Sequence, residues 1–111
     1  MDELSKQNCE ACRIGAPLVT EKETKLLKPQ IPEWEIIIDE GIQKLQRTFS
    51  FDNYTDALSF SYKVGLAAEH EDHHPRMITE WGKVTITWWT HKIKGLHRND
   101  FIMAAKTDRL L

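Results

Sequence analysis

The sequence predicts an α+β fold in which a four-stranded antiparallel sheet carries three helices on one face. Apolar and β-branched residues form two pairs of short runs, each joined by a turn with a glycine, and such short connections force antiparallel neighbours. Segments with helical periodicity precede, separate and follow the two pairs. The predicted element order is therefore helix-strand-strand-helix-strand-strand-helix. Helices on one face would bury their apolar stripes against the sheet.

The first helix and the first hairpin follow from local signals. Thr20 and Glu23 have the spacing of a capping box, which predicts a short helix that ends before Pro29. The run 34–39 is aromatic and β-branched, and a glycine separates it from the run 42–49. We expect these two runs to form a hairpin.

A long helix is predicted from Asp52 or Asn53 to about Glu71. Its buried stripe is expected to comprise six residues at steps of three and four, namely Ala57, Phe60, Ser61, Val64, Ala67 and Ala68. The runs 77–81 and 84–90 flank a Gly-Lys pair and predict a second hairpin. Residues 100–106 predict a closing helix with an Asn or Asp near its start.

The composition indicates one soluble domain. The chain has 111 residues, of which 41% are hydrophobic, enough to bury one core. Fifteen Lys and Arg against 17 Asp and Glu give a net charge of -2, which argues against direct contact with nucleic acid. No apolar run approaches the roughly 18 residues that cross a bilayer. We expect no membrane contact and a cytoplasmic location.

The first 18 residues lack a sustained period and contain Gly15 and Pro17, so we expect a flexible or extended N-terminal segment before a single domain at 19–111. The segment holds the only two cysteines, Cys9 and Cys12, in a CxxC pair. Such a pair can be half of a zinc site, a redox dithiol or an ordinary reduced pair. The chain lacks a second CxxC, and we favour the reduced pair near a mobile terminus.

Large apolar residues are expected on both faces of the sheet. Ile37 points away from Ile36, and Trp89 points away from Trp88, because successive side chains of a strand alternate. Helices can cover one face only. Oligomerisation through a sheet face or edge would explain the second apolar set.

Three of the five histidines, His70, His73 and His74, lie among carboxylates just before Pro75. Histidine gains and loses protons near neutral pH, so the cluster is the best candidate for proton-transfer chemistry. Pro75 should end the long helix near the cluster. From the residues alone, two other interpretations stay open: solvated histidines at the negative end of a helix dipole, and a zinc site.

A fourth histidine, His91, closes the run 84–90. If that strand pairs with the one after Pro75, His91 can approach His73 and His74. Three imidazoles beside Glu69 and Asp72 would supply both a proton donor and a proton acceptor, which suits a proton-coupled elimination.

The chain resembles the pterin-4a-carbinolamine dehydratases, whose animal members also serve as dimerisation cofactors of a homeodomain transcription factor. The resemblance covers most of the chain. It depends on Glu69 followed by Asp72-His73-His74-Pro75, on Lys83-Val84-Thr85-Ile86-Thr87 leading to Thr90-His91, and on Gly95-Leu96 followed by Asp100. Cys9-Glu10-Ala11-Cys12 and Ile31-Pro32-Glu33-Trp34 resemble the bacterial branch associated with phenylalanine hydroxylase.

The resemblance implies a lyase that removes water from 4a-hydroxytetrahydrobiopterin to give quinonoid dihydrobiopterin. It implies no metal or redox cofactor. It also implies a homodimer or homotetramer that supports tetrahydrobiopterin recycling during phenylalanine catabolism, with phenylalanine hydroxylase as a possible partner. A different class of function stays open, in which the chain is an interaction or regulatory module for a hydroxylase or a transcriptional partner.

Carried over by position, His73, His74 and His91 match the catalytic histidines, with His73 and His91 expected as the acid/base pair. Substrate-binding positions are expected at Glu69, Asp72, Trp89, Thr90 and Asp100. The chain departs from the pattern after His-His-Pro, where many members have an acidic residue and Trp but this sequence has Arg76 and Met77. Trp81 and Trp89 are candidate substitutes for that aromatic wall, although buried tryptophans more often belong to a core or interface.

Overall fold

A computed structural model describes residues 3–10 and 15–111. It contains the predicted elements in the predicted order. They are α1 (Glu21–Leu27), β1 (Glu35–Asp39), β2 (Ile42–Ser50), α2 (Tyr54–His70), β3 (Arg76–Glu80), β4 (Lys83–Trp88) and α3 (Arg98–Asp108). Short 3-10 turns occur at Leu4–Lys6, Lys28–Gln30 and His91–Ile93.

The four strands form one antiparallel sheet in the order β1-β2-β4-β3. The register pairs Leu45 with Trp88 and Phe49 with Val84, and all four side chains are buried. Phe60 of α2 and Phe101 of α3 belong to the same core cluster. The predicted α+β architecture is therefore confirmed, with the core between the helices and one face of the sheet.

The predicted helix starts are explained by their caps. The Thr20 hydroxyl accepts the Glu23 amide at 3.1 Å, and the Glu23 carboxylate accepts the Thr20 amide at 3.0 Å. Asn53 caps α2 by accepting the amide of Asp56 at 2.8 Å. Such caps satisfy amides that have no partner within the helix.

Two boundaries near the C-terminus differ from the prediction. The predicted strand 84–90 ends at Trp88, because Thr90 leaves the β2 ladder and bridges to Gly95 instead. The closing helix starts at Arg98 rather than at Asp100. His97 supplies the cap, since its Nδ1 accepts the Asn99 amide at 3.0 Å.

Part of the N-terminal segment packs on the domain. Leu4 has no exposed surface and belongs to the core cluster. Cys9 is half-buried and carries a free thiol, whereas Cys12, the other half of the CxxC pair, lies outside the described residues. Within residues 3–10 and 15–111, we find no helix with the length and apolar character needed to cross a membrane.

Candidate active site

The turn after α2 places two neighbouring histidines, His73 and His74, in different environments. The helix ends at His70, and Asp72 then adopts a left-handed backbone with φ of 50°, a region that Asp tolerates better than most residues. The amide of His73 donates to the carbonyl of Ala68 at 3.1 Å and closes the turn. As a result His73 is buried and His74 is exposed.

His73 is held by a buried carboxylate from α3. Its Nε2 lies 2.7 Å from Oδ1 of Asp100, which has no exposed surface. Oδ2 of Asp100 accepts the Thr90 hydroxyl at 2.7 Å and the His97 amide at 2.9 Å. The His73 ring also stacks on Trp88, with ring centroids 5.7 Å apart. These contacts fix the orientation of His73 and leave Nδ1 as the ring nitrogen for a ligand.

His74 forms a second, exposed pair. Its Nε2 lies 2.7 Å from Oε1 of Glu69, one turn back on α2. Both side chains are mostly in water, so the pair contributes little to stability. Its effect is to orient the His74 ring.

His91 lies beside Trp89, and the two ring centroids are 4.4 Å apart. Two cations contact the same indole: the Lys44 ammonium lies 4.0 Å from a ring centroid of Trp89, and the Arg76 guanidinium lies 5.3 Å away. Cations near a tryptophan face are attracted by its ring quadrupole. Trp89 therefore links His91 to positively charged groups on the sheet face opposite to the core.

One cavity of about 640 Å³ brings most of these groups together. Five of the predicted site residues line it: Asp72, His73, His74, Thr90 and His91. The other three predicted residues contact the lining histidines: Glu69 pairs with His74, Asp100 with His73, and Trp89 with His91. His91 therefore lines the same cavity as His73 and His74.

The cavity has six further lining residues. One of them, His70, belongs to the histidine cluster of the sequence, whereas the other five were not singled out for the cavity: Cys9, Glu10, Glu71, Lys92 and Asn99. Glu71, Lys92 and Asn99 each adjoin a predicted site residue in the chain, and that adjacency could have identified them. Cys9 and Glu10 lie about 60 residues or more from the histidine cluster, and no local pattern indicates that they approach it.

The Cys9 thiol is protected from ionisation. Burial, helped by the nearby carboxylates of Glu71 and Asp100, raises its pKa from 9.0 to about 12. A thiol must be deprotonated to act as a nucleophile or a metal ligand. At neutral pH, Cys9 is therefore a neutral wall of the cavity.

Glu69, Asp72 and His74 are the described residues that could hold a metal ion together. One ligand atom from each lies within 4.8 Å of the others, and all three are exposed. His73 and His91 are not part of this group. His73, His74 and His91 therefore do not form a zinc-binding set in the described part of the chain.

Trp81 cannot supply an aromatic wall to this cavity. It lies in the turn between β3 and β4 and is 73% exposed. The histidines lie at the other end of that hairpin, because His74 precedes β3 and His91 follows β4. Of the two candidate tryptophans, Trp89 alone lies near a cavity histidine, and it contacts the imidazole of His91.

Known proteins resemble this chain over its whole length. The family model of pterin 4 alpha carbinolamine dehydratase matches residues 16–110. Two relatives come from Syntrophotalea carbinolica and Nitrosococcus oceani, and both are provisionally named pterin-4-alpha-carbinolamine dehydratase. Each is 58% identical to this chain over 111 residues. The match covers 100% of this chain, 99% of the Syntrophotalea protein and 98% of the Nitrosococcus protein.

A solved structure has the same fold. The crystal structure of a transcriptional coactivator/pterin dehydratase from Brucella melitensis is 28% identical and superposes with a TM-score of 0.76. The match covers 85% of this chain and 98% of the other. Both the family model and the full-length relatives lead to one conclusion: this chain belongs to the pterin 4 alpha carbinolamine dehydratase family, whose members are hydro-lyases.

Proposed function

We propose that the protein removes water from 4a-hydroxytetrahydrobiopterin to give quinonoid dihydrobiopterin, with histidines as general acid and base. The observation that carries this proposal is the cavity lined by His73, His74 and His91, in which His73 is backed by the buried Asp100. A volume of about 640 Å³ lies within the range of sites for small molecules. The family and the names of the relatives support the reaction class.

The two transferred protons are assigned to His73 and His91. The buried Asp100 holds Nε2 of His73 and leaves Nδ1 for the substrate, so we assign His73 as the acid that protonates the 4a-hydroxyl as its bond to carbon breaks. His91 lines the same cavity and lies beside Trp89, and we assign it as the base that removes the proton of N5. The electron pair of that N–H bond forms the N5=C4a double bond, and water leaves.

The remaining predicted residues position these groups. Glu69 orients His74, whose other ring nitrogen is placed to donate to or accept from the pterin ring. Thr90 and Asp100 hold His73, and Asp72 lines the mouth of the cavity. Because the step moves only protons and one bonding electron pair, it balances without a redox or metal cofactor.

In the cell, this reaction would return the pterin released by an aromatic amino acid hydroxylase to the recycling pathway. We propose a cytoplasmic location and a role in phenylalanine catabolism, with phenylalanine hydroxylase as the enzyme served.

We also propose that the chain acts as a homodimer or homotetramer. Supporting this, α2 exposes an apolar residue at every fourth position, which forms a stripe along the helix: Tyr54, Leu58, Tyr62 and Leu66. β3 is an edge strand whose Met77 and Ile78 are also exposed. An open edge strand can pair with a second chain.

A second candidate function uses the same surface. The α2 stripe could bind a hydroxylase or a transcriptional partner, and the Brucella protein is named a transcriptional coactivator as well as a dehydratase.

A direct measurement distinguishes the enzyme from the interaction module. Stopped-flow absorbance of 4a-hydroxytetrahydropterin follows its dehydration; the proposed enzyme accelerates it above the spontaneous rate, whereas an interaction module leaves the rate unchanged.

A further inference from the structure

Residues 3–10, which we call the strap, pack along α3 and are hydrogen-bonded to it. The Leu4 side chain is buried, and its amide donates to Oε1 of Gln30 at 2.9 Å. Lys106 donates to the carbonyl of Ser5 at 3.0 Å, and Arg98 donates to Oε1 of Gln7 at 2.8 and 3.2 Å. These contacts lie outside the cavity and anchor the first part of the strap.

The end of the strap joins the two elements that border the cavity. The Cys9 amide donates to Oε1 of Glu71, just after α2, at 2.7 Å. On the α3 side, the Glu10 amide donates to the Asn99 side chain at 3.1 Å, and that side chain donates back to the Glu10 carbonyl at 2.7 Å. Cys9, Glu10, Glu71 and Asn99 all line the cavity. The strap therefore crosses from one border of the cavity to the other.

The strap does not belong to the part of the chain that the family model describes. That match begins at residue 16, whereas His73, His74 and His91 all fall within it. The two relatives that are 58% identical match all 111 residues, strap included. The catalytic groups thus belong to the shared domain, and the strap is an added wall of the same cavity.

We propose that the strap is a substrate-binding wall, and that Glu71 and Asn99 are positioning residues that hold it in place. The proposal rests on the proposed function for the identity of the substrate. A wall that contacts the pterin equally in the ground state and the transition state changes KM and leaves kcat nearly unaltered. The strap carries no group that the proton transfers require, so this is the effect we expect.

Glu71→Ala removes the acceptor for the Cys9 amide, and Glu71→Gln keeps an oxygen at the same place. We expect KM to rise about tenfold in Glu71→Ala, which corresponds to the loss of one hydrogen bond to a charged group, and to stay within about threefold in Glu71→Gln. Hydrogen exchange of the Cys9 and Glu10 amides should accelerate in the alanine variant only.

Arg98→Ala provides a second variant, because Arg98 holds Gln7 and does not line the cavity. It should also raise KM and accelerate exchange at Cys9, with kcat unchanged. Faster exchange without a change in KM in both alanine variants would overturn the proposal, as would a fall in kcat alone. Equal effects of Ala and Gln at position 71 would show that the hydrogen bond is not the cause.

Calorimetric binding of 7,8-dihydrobiopterin separates this proposal from the proposed function. If wild-type protein fails to accelerate dehydration, the proposed function is wrong, and the affinity for this stable pterin still tests the strap. Weaker binding by Glu71→Ala and Arg98→Ala than by wild type supports the wall; equal binding by all three proteins contradicts it.

Discussion

The contact between His73 and Asp100 determines how the candidate site is built. Asp100 accepts hydrogen bonds from three donors, from His73, the Thr90 hydroxyl and the His97 amide, while fully buried. A buried carboxylate is tolerated only with such partners. The same side chain therefore stabilises the start of α3 and orients a histidine of the cavity.

Replacing Asp100 should affect both roles. Asp100→Ala leaves three buried donors without their acceptor, and we expect a loss of about 3–5 kcal/mol in the free energy of unfolding, measured by urea denaturation. Asp100→Asn keeps the shape and replaces the charged acceptor that holds the His73 ring by a neutral amide. It should lower kcat about 10- to 100-fold, as expected for one charge-assisted hydrogen bond. Wild-type kcat in folded Asp100→Asn would contradict the assignment.

Cys9 gives a prediction from its raised pKa of about 12. In a Cys12→Ser background, iodoacetamide should label Cys9 far more slowly in native protein at pH 9 than in urea. At that pH, an ordinary thiol with a pKa of 9.0 is half ionised, whereas the Cys9 thiol of the native protein stays almost entirely protonated.

The same pKa shift makes stability depend on alkaline pH. The native state keeps the proton that the unfolded state loses, so the contribution of Cys9 to stability is complete below pH 9 and falls as the pH rises towards 12. Cys9→Ala in the same background should abolish this part of the decline. Equal labelling rates in native and unfolded protein would show that the thiol is not protected.

At the scale of elements, Asp39 joins the first hairpin to β3. Its carboxylate accepts from Lys44 at 2.9 Å and from Arg76 at 3.3 Å. Lys44 and Arg76 are also the cations on Trp89, which contacts His91. The network connects three strands to the strand end that carries a proposed catalytic residue.

The hydrogen bond from Lys44, together with the charges of Lys44 and Arg76, lowers the pKa of Asp39 below its ordinary value of 3.8. The carboxylate therefore stabilises the fold at pH values above the pKa that Asp39 has in the unfolded chain. This contribution is lost as the pH falls through the lower pKa that Asp39 has in the native protein. Asp39→Asn should be less stable than wild type at pH 7 in urea denaturation. The difference should vanish in acid; a constant difference at both pH values would contradict the ion pairing.

The elements were predictable because their signals are local. Aromatic and β-branched runs joined by glycine turns predict the strands, steps of three and four predict α2, and Thr20 and Glu23 predict the start of α1. The start of α3 was misplaced by two residues because its cap is a histidine, which is not among the common capping residues. The end of β4 was misplaced because Thr90 has strand-like chemistry but bonds to Asp100 and bridges to Gly95.

The site was predicted only in part, since its contacts join distant positions. The histidine pattern indicated His73, His74 and His91, and the resemblance added Asp100. The register of the β3–β4 hairpin explains why His74 and His91 lie at the same end of it. The contact of Cys9 and Glu10 with the cavity depends on a packed strap, in which a single buried leucine, Leu4, lies among polar residues. No periodicity marks such a segment in the sequence.

At the scale of the whole molecule, the core occupies one side of the sheet and the proposed assembly surfaces lie on α2 and β3. Tyr62→Glu with Leu66→Glu places two charges on the α2 stripe and should dissociate an assembly. We expect wild type to have two or four times the 13.0 kDa chain mass in light scattering and the double variant a smaller mass.

Lys63→Glu is the matched control, because Lys63 is exposed on the same helix outside the stripe. It should keep the wild-type mass. A monomeric wild-type protein would contradict the proposed homo-oligomer, and an unchanged mass in the double variant would exclude the α2 stripe as the contact.

The central claim is that His73 and His91 transfer the protons of the dehydration. The most direct test is stopped-flow dehydration of 4a-hydroxytetrahydropterin by wild type, His73→Ala, His91→Ala and the double variant, with circular dichroism to confirm folding and Lys63→Ala as a surface control outside the cavity. Each single variant should be about 10²- to 10⁴-fold slower than wild type, the double variant should approach the spontaneous rate, and Lys63→Ala should stay within about threefold. Wild-type rates in folded His73→Ala and His91→Ala would contradict the claim.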